Sequence, residues 1–353
     1  MDLMISNQSN DVKNVTKNYV KALVFCIGKR TFTNMANFLG ISHDLVNRTL
    51  GQAVELEQEI SSELVQIANA HAKRSKGFLI IDDSNVSKKY SKEIEGVAKV
   101  YNCAEKRSGL GYCMVALCWS NGKVTIPIGF GYWIPEEIAG DTYKTKIQIA
   151  CALLEEFRTK VQFMYLVVDG LYFSQEMIRF LNARDIKFEA RAHSTRKVEI
   201  NGTTAQLKKH KGMRLRRNEH CRTVKGWWHG IRLFFTTHKR INKNGEFDIV
   251  YQVSNIDTTA KEHVLIYKKR WPIEKMFRTA KQSLGLQDCY ARSIEKQRAH
   301  VLLIFYAYAL LQNEMLNLGL KSVEDVIRRC KYVKSIEQDL SIHAAGEIYH
   351  AIA

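Results

Sequence analysis

Proline is scarce in this sequence, and so are the patterns of a membrane or secreted protein. Only three prolines occur among 353 residues, and no proline-rich linker, internal repeat or low-complexity tract divides the chain. The most apolar run, residues 301–311, is too short to span a bilayer and predicts a buried core helix. The polar, acidic beginning of the chain has no secretory signal. We therefore expect a soluble, cytoplasmic protein that binds no membrane.

Cysteine occurs without the spacing that metal sites or disulfide frameworks require. The eight cysteines form no C-x-x-C pair and no combined Cys and His pattern of the zinc-binding type. Scattered thiols of this kind fit a reducing compartment such as the cytosol. The cysteines therefore give no support to a zinc-finger architecture or a disulfide-stapled secreted domain.

Negative charge is the scarcer sign. Asp and Glu number 36 against 53 Lys and Arg, which leaves a formal net charge of +17. A surplus of this size indicates a polyphosphate partner, most commonly a nucleic acid, although a merely basic surface is the alternative. The apolar fraction, 46%, is ordinary and predicts a sizeable core within one large domain or a few smaller ones.

Residues 1–75 have the periodicity of helices, and residues 30–51 have the pattern of a helix-turn-helix. Ala36 would lie where the two helices cross, and Gly40 would supply the positive φ that the turn needs. Ser42 and His43 would then open the second helix and face the groove of DNA. The alternative is an ordinary helical hairpin that ends in a glycine cap.

A β-rich segment follows the helices. Apolar runs at 77–83 and 162–170 end in acids, and Asn121-Gly122 predicts a hairpin between two further strands. Strands and helices then alternate up to residue 191, which predicts an α/β fold with a mixed sheet and helices on its faces. Residues 192–255 read as a β-rich antiparallel insertion, and the chain is helical again from 258 onward.

Three acids stand where chemistry would need them. Asp83 and Asp169 follow buried strands, at the sheet edge where sites form, although a turn or cap aspartate is the alternative for each. Asp82 directly precedes Asp83, and the sequence leaves open which of the two contributes. The third acid, Glu274, lies alone among the six cations of residues 267–281.

Helical spacing gathers the residues around Glu274 on one face. This face carries Tyr267, Arg270, Glu274, Arg278 and Lys281. Pro272 lacks an N–H group and is expected to kink the helix or start a new one. Two acids at strand ends and one on a helix suit two Mg²⁺ ions, with the cations holding DNA phosphates beside them. A salt-bridged surface helix is the alternative.

Three ordered motifs resemble a known family. Tyr267, Arg270, Glu274 and Lys281 fit Y-x2-R-x3-E-x6-K, which resembles the signature of the YREK subgroup of DDE transposases from bacterial insertion sequences. The stretch "IDDSNVSKK" resembles the first-aspartate motif of this family and places its acid at Asp83. The stretch "VVDGLYF" resembles the second and places its acid at Asp169.

The resemblance implies a fold, a reaction and partners. The expected core is ribonuclease H-like and spans 76–191 and 256–320, between a helical DNA-binding domain at 1–75 and a helical tail at 321–353. Asp83, Asp169 and Glu274 would bind two Mg²⁺ ions, for which Mn²⁺ would substitute, while Tyr267, Arg270 and Lys281 contact the DNA end.

The implied reaction is nicking at the ends of the element, followed by attack of the freed 3′-OH on target DNA. The partners would be double-stranded DNA of the ends and target, and a second copy of the chain in a nucleoid-associated homodimer. Two other functions stay open: a ribonuclease H-like nuclease that does not join, and a non-cutting regulator that reads DNA through residues 30–51.

Two features of the insertion could add DNA contacts. Its basic run would bind the phosphate backbone through Lys208, Lys209, Arg214, Arg216 and Arg217. A solvated loop is the alternative. Trp227 and Trp228 could stack on a displaced base, although packing within a strand is the favoured interpretation.

Overall fold

The computed structural model describes residues 10–89, 91, 93–102 and 106–340. The first nine residues, which carry the signal-peptide argument, and the tail from 341 onward lie outside the described residues. The helices are α1 (Asn10–Phe25), α2 (Phe32–Leu39), α3 (His43–Glu55), α4 (Glu57–Ala72), α5 (Glu136–Ala139), α6 (Lys146–Phe157), α7 (Gln175–Ala183), α8 (Ala260–Lys268), α9 (Trp271–Gln282), α10 (Ile294–Asn317) and α11 (Val323–Leu340).

The strands begin directly after α4. They are β1 (Gly77–Ser87), β2 (Ala98–Asn102), β3 (Arg107–Ser120), β4 (Thr125–Trp133), β5 (Phe163–Val168), β6 (Phe188–Ala192), β7 (Lys197–Ile200), β8 (Thr203–Gln206), β9 (Cys221–Trp228), β10 (Ile231–Ile241) and β11 (Phe247–Ser254). The β3–β4 hairpin turns at Asn121-Gly122 as predicted, with Gly122 at φ 87°.

All the described strands belong to one sheet. Its order is β2-β3-β1-β5-β6-β11-β10-β9-β7-β8, and β4 also pairs with β3. Within it β4, β3 and β1 are antiparallel neighbours, and β5 and β6 run parallel to β1. Helix α6 packs against β3 and β4, and α10 packs against β4. This arrangement is the predicted ribonuclease H-like α/β fold, and the prediction is confirmed.

The β-rich insertion extends this sheet. Strand β11 pairs antiparallel with β6, from Tyr251 opposite Ala192 to Ser254 opposite Glu189. Strands β10, β9, β7 and β8 then follow outward in antiparallel order. The insertion therefore has a fixed lateral relation to the strands that carry the acids.

Helix α10 lies in the middle of the core. Its residues 301–309 are all buried, which confirms the prediction of a core helix there. It contacts α1, α3, α4, α9, α11 and β4, so the N-terminal helices and the sheet share one hydrophobic cluster. Among the described residues, no helix is long and apolar enough to cross a membrane.

The helix-turn-helix geometry is present at the expected residues. Helix α2 ends at Leu39, Gly40 follows in the left-handed region at φ 67°, and α3 begins at His43. The side chain of Ser42 caps α3 by accepting a hydrogen bond from the Leu45 N–H group. Its role in reading DNA stays a prediction.

Candidate functional site

Two neighbouring strands bring the first two acids together. Strands β1 and β5 are parallel, with Ile81 opposite Val168, so the next residues on the two strands are Asp82 and Asp169. Residues in register on parallel strands point to the same face, and alternation sends Asp83 to the opposite face. The register therefore places Asp82 beside Asp169.

The third acid reaches this point through a break between two helices. Helix α8 ends at Lys268 and α9 begins at Trp271, with Pro272 in its first turn, so Pro272 starts a new helix as expected. Arg270 occupies the N-cap position of α9, and its guanidinium binds both Asp82 and Glu274. The three side chains are partly buried. Asp82 and Asp83 lie within β1, which continues to Ser87, and not at a strand end as predicted.

Tyr267, the last site residue on α8, completes the cluster. Its hydroxyl donates a hydrogen bond of 3.2 Å to Oδ1 of Asp169. Helix α8 is fixed by a capping box between Thr259 and Glu262 at its start. Tyr267 and Arg270 thus connect all three acids: one to Asp169, the other to Asp82 and Glu274. We call these five residues the acid cluster.

Asp83 has different partners. Lys146, the first residue of α6, binds Oδ2 of Asp83 at 2.7 Å, and the Cys113 thiol donates to the same oxygen at 3.4 Å. Both partners lie on the face of β1 opposite Asp82. The motif predicts Asp83 as the metal ligand, whereas the geometry groups Asp82 with Asp169 and Glu274.

The electrostatics of the acid cluster reflect its burial. Burial raises the pKa of Asp82 to about 7, although the Arg270 guanidinium lowers it, and the charge of Asp83 adds to the rise. For Arg270, burial lowers the pKa, but the charges of Asp82 and Glu274 outweigh burial, so the pKa is raised. One monovalent cation therefore compensates the carboxylates incompletely.

The donor set fits a divalent oxygen-binding metal. Within the part of the chain that the structure describes, no three His, Cys, Asp or Glu side chains lie together as a ready metal-binding group. In the acid cluster, the Arg270 guanidinium lies between the carboxylates of Asp82 and Glu274 and supplies the positive charge that a metal ion would otherwise supply. Carboxylate oxygens are the donors that Mg²⁺ and Mn²⁺ prefer. Asp82, Asp169 and Glu274 are the residues that would hold such an ion.

The other two residues of the predicted helix face lie further along α9. Lys281 is partly buried; burial lowers its pKa, and the Cys113 thiol partly offsets that effect. Lys281 therefore lies near the residues that contact Asp83. Arg278 is exposed on the same helix and is free to meet a ligand from solvent.

The structure does not bring the basic run of the insertion to the acid cluster. Lys208, Lys209, Arg214, Arg216 and Arg217 are exposed around a short 3-10 turn near β7 and β8. Those strands lie at the end of the sheet opposite β2, five or more strands from β5.

The two tryptophans of β9 have different environments. Trp228 is 4% exposed, and its ring lies 4.3 Å from that of Phe173. Trp227 is 47% exposed, on the other face of the strand. Trp228 therefore packs in the core, the alternative that the sequence favoured, and Trp227 remains the candidate for stacking on a base.

Both predicted groove-facing residues, Ser42 and His43, are exposed. The His43 side chain is 57% exposed and lies edge-on to the ring of Phe32, with centroids 5.6 Å apart. The side chain of Asn47, one turn further along α3, binds Lys296 of α10 at 2.8 Å. Helix α3 is therefore held against the core on one side and open on the other.

The sequence did not point to two cations near the site, Lys146 and Arg191, and it left open whether Asp82 or Asp83 contributes. Lys146 gave no signal, because a lysine at a helix start is common. Arg191 follows Ala190, the partner of Val168, so it lies beside Asp169. Burial raises the pKa of Tyr267, and the charge of Arg191 offsets a small part of that rise. The signal for Asp82 is its register with β5, which the sequence of β1 alone does not contain.

Comparison with known families supplies one match. A family model described as DDE superfamily endonuclease matches residues 6–226, which is more than half of the chain. The matched range contains Asp82, Asp83 and Asp169 and ends before Glu274. No curated protein matches the chain.

Proposed function

Because this chain belongs to the DDE superfamily endonucleases, we propose that it is a DNA transposase of a bacterial insertion sequence. It cleaves the terminal inverted repeats of its element and joins the 3′-OH ends to target DNA. The match of residues 267–281 to the YREK pattern supports this more specific assignment. The substrate is double-stranded DNA, in accord with the net charge of +17.

One observation carries the proposal. Side chains from β1, the end of β5 and the start of α9 converge, and they are Asp82, Asp169 and Glu274. Separate elements contribute them, so the cluster depends on the tertiary fold. An ordinary surface helix with salt bridges would have no reason to meet one acid within β1 and another directly after β5, two neighbouring strands in the interior of the sheet.

Each residue of the acid cluster has a role in the proposed reaction. Asp82, Asp169 and Glu274 would hold two Mg²⁺ ions, or Mn²⁺ in their place, and the bound metal would supply Lewis-acid catalysis of phosphoryl transfer. Arg270 and Tyr267 bind phosphate and orient the DNA end, and Lys281 and Arg278 bind the backbone beyond it. Asp83 holds Lys146 on the opposite face of β1 and supports the strand.

The remaining features belong to the DNA complex. The basic run of the insertion binds the phosphate backbone, and α3 reads the end sequence through His43 and its neighbours. Two copies of the chain act together as a homodimer, one on each end. The reaction takes place in the cytoplasm, at the nucleoid.

Substitution of the adjacent aspartates tests the site. A plasmid carrying the DNA that flanks the open reading frame is incubated with Mg²⁺ and each variant. Asp82→Asn and Asp169→Asn should lose cleavage by more than about a hundredfold, because metal ligation supplies several kcal/mol of transition-state stabilisation. Asp83→Asn, the matched control, should stay within about tenfold of wild type.

Loss of cleavage in Asp83→Asn, with cleavage retained in Asp82→Asn, would assign the metal ligand to Asp83, as the motif predicts. Full cleavage by Asp82→Asn, Asp83→Asn and Asp169→Asn would exclude the site. A second assay uses pre-cleaved ends and a supercoiled target. Joined products distinguish a transposase from a nuclease that only cuts, and binding without cutting in either assay would indicate a regulator.

A further inference from the structure

Donors from the chain itself occupy all three acids of the cluster. Arg270 binds Asp82 through one guanidinium nitrogen and Glu274 through another. The Tyr267 hydroxyl binds Asp169. The Arg270 side chain is only 17% exposed, so water screens this bridge weakly. An incoming divalent ion therefore meets carboxylate oxygens that already have partners.

A divalent ion and the guanidinium compete for the same oxygens. Arg270 carries a permanent positive charge, because an arginine side chain does not deprotonate in proteins. It repels a second cation at contact distance, so a metal held between Asp82 and Glu274 requires Arg270 to move away. Arg270 needs another anion to bind once it leaves these carboxylates.

A DNA phosphate is such an anion. Guanidinium groups bind phosphate through paired N–H groups in one plane, so Arg270 would give up at least one carboxylate on binding DNA. Position favours the exchange, since Arg270 lies at the N-cap position of α9, just before the partly exposed first turn. Tyr267 releases Asp169 in the same way when its hydroxyl meets the DNA end.

We propose that Arg270, aided by Tyr267, closes the three carboxylates to divalent metal until a DNA phosphate binds it. Metal and DNA then strengthen each other's binding, by the same factor in both directions. This inference rests on the proposed function, because it takes the acid cluster as the metal site and DNA as the substrate. It adds that the free protein is a poor metal binder and is loaded on DNA.

Mn²⁺ binding to the full chain tests the proposal. Free Mn²⁺ is followed by electron paramagnetic resonance, without DNA and with a blunt, mixed-sequence duplex of about 20 base pairs, long enough for several phosphate contacts. Without DNA, Arg270→Gln should bind Mn²⁺ about tenfold more tightly than wild type. The matched control, Lys275→Gln, removes one charge from an exposed position on the same helix and should change the affinity less than about twofold.

The duplex should raise the Mn²⁺ affinity of wild type at least about fivefold more than that of Arg270→Gln. Arg270→Lys keeps the charge without the planar fork, so its affinity without DNA should fall between those of wild type and Arg270→Gln. It also tests the proposal should Arg270→Gln fold poorly. Equal Mn²⁺ affinity in Arg270→Gln and Lys275→Gln overturns the proposal, as does an equal gain from DNA in wild type and Arg270→Gln.

Asp82→Asn separates this inference from the function on which it rests. If Asp82→Asn binds Mn²⁺ weakly while Arg270→Gln binds it with wild-type affinity, the coupling is overturned and the metal site stays in place. Unchanged Mn²⁺ binding by Asp82→Asn, Asp83→Asn and Asp169→Asn, with or without DNA, removes the metal site and the proposed function with it.

Discussion

At the scale of single residues, Glu189 and His263 show how a buried polar pair holds the helix that carries Tyr267. Glu189 is on β6 and His263 is on α8, both side chains are fully buried, and Oε2 lies 2.7 Å from Nδ1. His263 is one turn before Tyr267 on the same helix. The pair therefore fixes α8 on the sheet at the place where Tyr267 must reach Asp169.

The pair also predicts a dependence of stability on pH. Burial raises the pKa of Glu189 from 4.5 to about 7, although the bond to His263 lowers it. Since the folded pKa is the higher one, the stabilisation is fully present below about pH 4.5 and is lost as pH rises through about 7. The unfolding free energy of wild type relative to Glu189→Gln should therefore fall by about 2 kcal/mol between about pH 5 and 8.

Urea unfolding at several pH values measures this difference. Glu176→Gln, at an exposed position on α7, is the control and should show no such trend relative to wild type. A wild-type to Glu189→Gln difference that stays constant with pH would show that Glu189 does not change its protonation in the folded protein across this range.

The sequence could not decide between Asp82 and Asp83, because the choice depends on the register of β1 with β5. The hydrophobic run before Asp82-Asp83 is buried on both faces, so it carries no alternation that would tell the two aspartates apart. The pairing of Ile81 with Val168 decides their faces, and that pairing involves a distant part of the chain. The choice between Asp82 and Asp83 is thus a property of the tertiary structure.

At the scale of elements, local patterns were sufficient. Gly40 and the Ser42 cap fix the ends of α2 and α3, and Pro272 marks the start of α9. The break before α9 separates Tyr267, on α8, from Arg270, at the N-cap position of α9, so the two side chains reach different acids.

Strand β9 carries the element-scale prediction. Trp228 is buried against Phe173 and lies 6.0 Å from the Arg196 guanidinium, whereas Trp227 faces solvent. Trp228→Ala should lower the free energy of unfolding by about 3–5 kcal/mol, because it leaves a large cavity. Trp227→Ala, on the same strand, should lower it by less than about 1 kcal/mol.

Denaturant unfolding of both variants compares these values under the same conditions. Single-stranded DNA binding then probes the exposed ring, since stacking on a base contributes about 1–3 kcal/mol. A small stability loss in Trp228→Ala would mean that β9 does not pack on the core as described.

At the scale of the whole molecule, the N-terminal helices are part of the core. The pattern of the sequence predicts a boundary at residue 75, because helices give way to strands there. Among the described residues, four side-chain bonds cross it to reach α10: Tyr19 to His300, Asn47 to Lys296, Glu57 to Arg298 and His71 to Asn313. A sequence shows where element types change, but it does not show which apolar faces meet.

A truncated chain of residues 76–353 should therefore fail to fold as a stable unit. Leu23, Leu50 and Leu64 are fully buried in the same cluster as α10, and removing their helices would expose a helix that is apolar nearly all round. We expect the truncated chain to lack a cooperative unfolding transition, measured by circular dichroism in urea. A cooperative transition with a denaturant slope in proportion to its length would instead show an independent catalytic domain.

The variant His43→Ala in the full chain tests DNA reading without loss of the N-terminal helices. It should keep the free energy of unfolding within about 0.5 kcal/mol of wild type and should reduce the preference for the element ends over scrambled duplex.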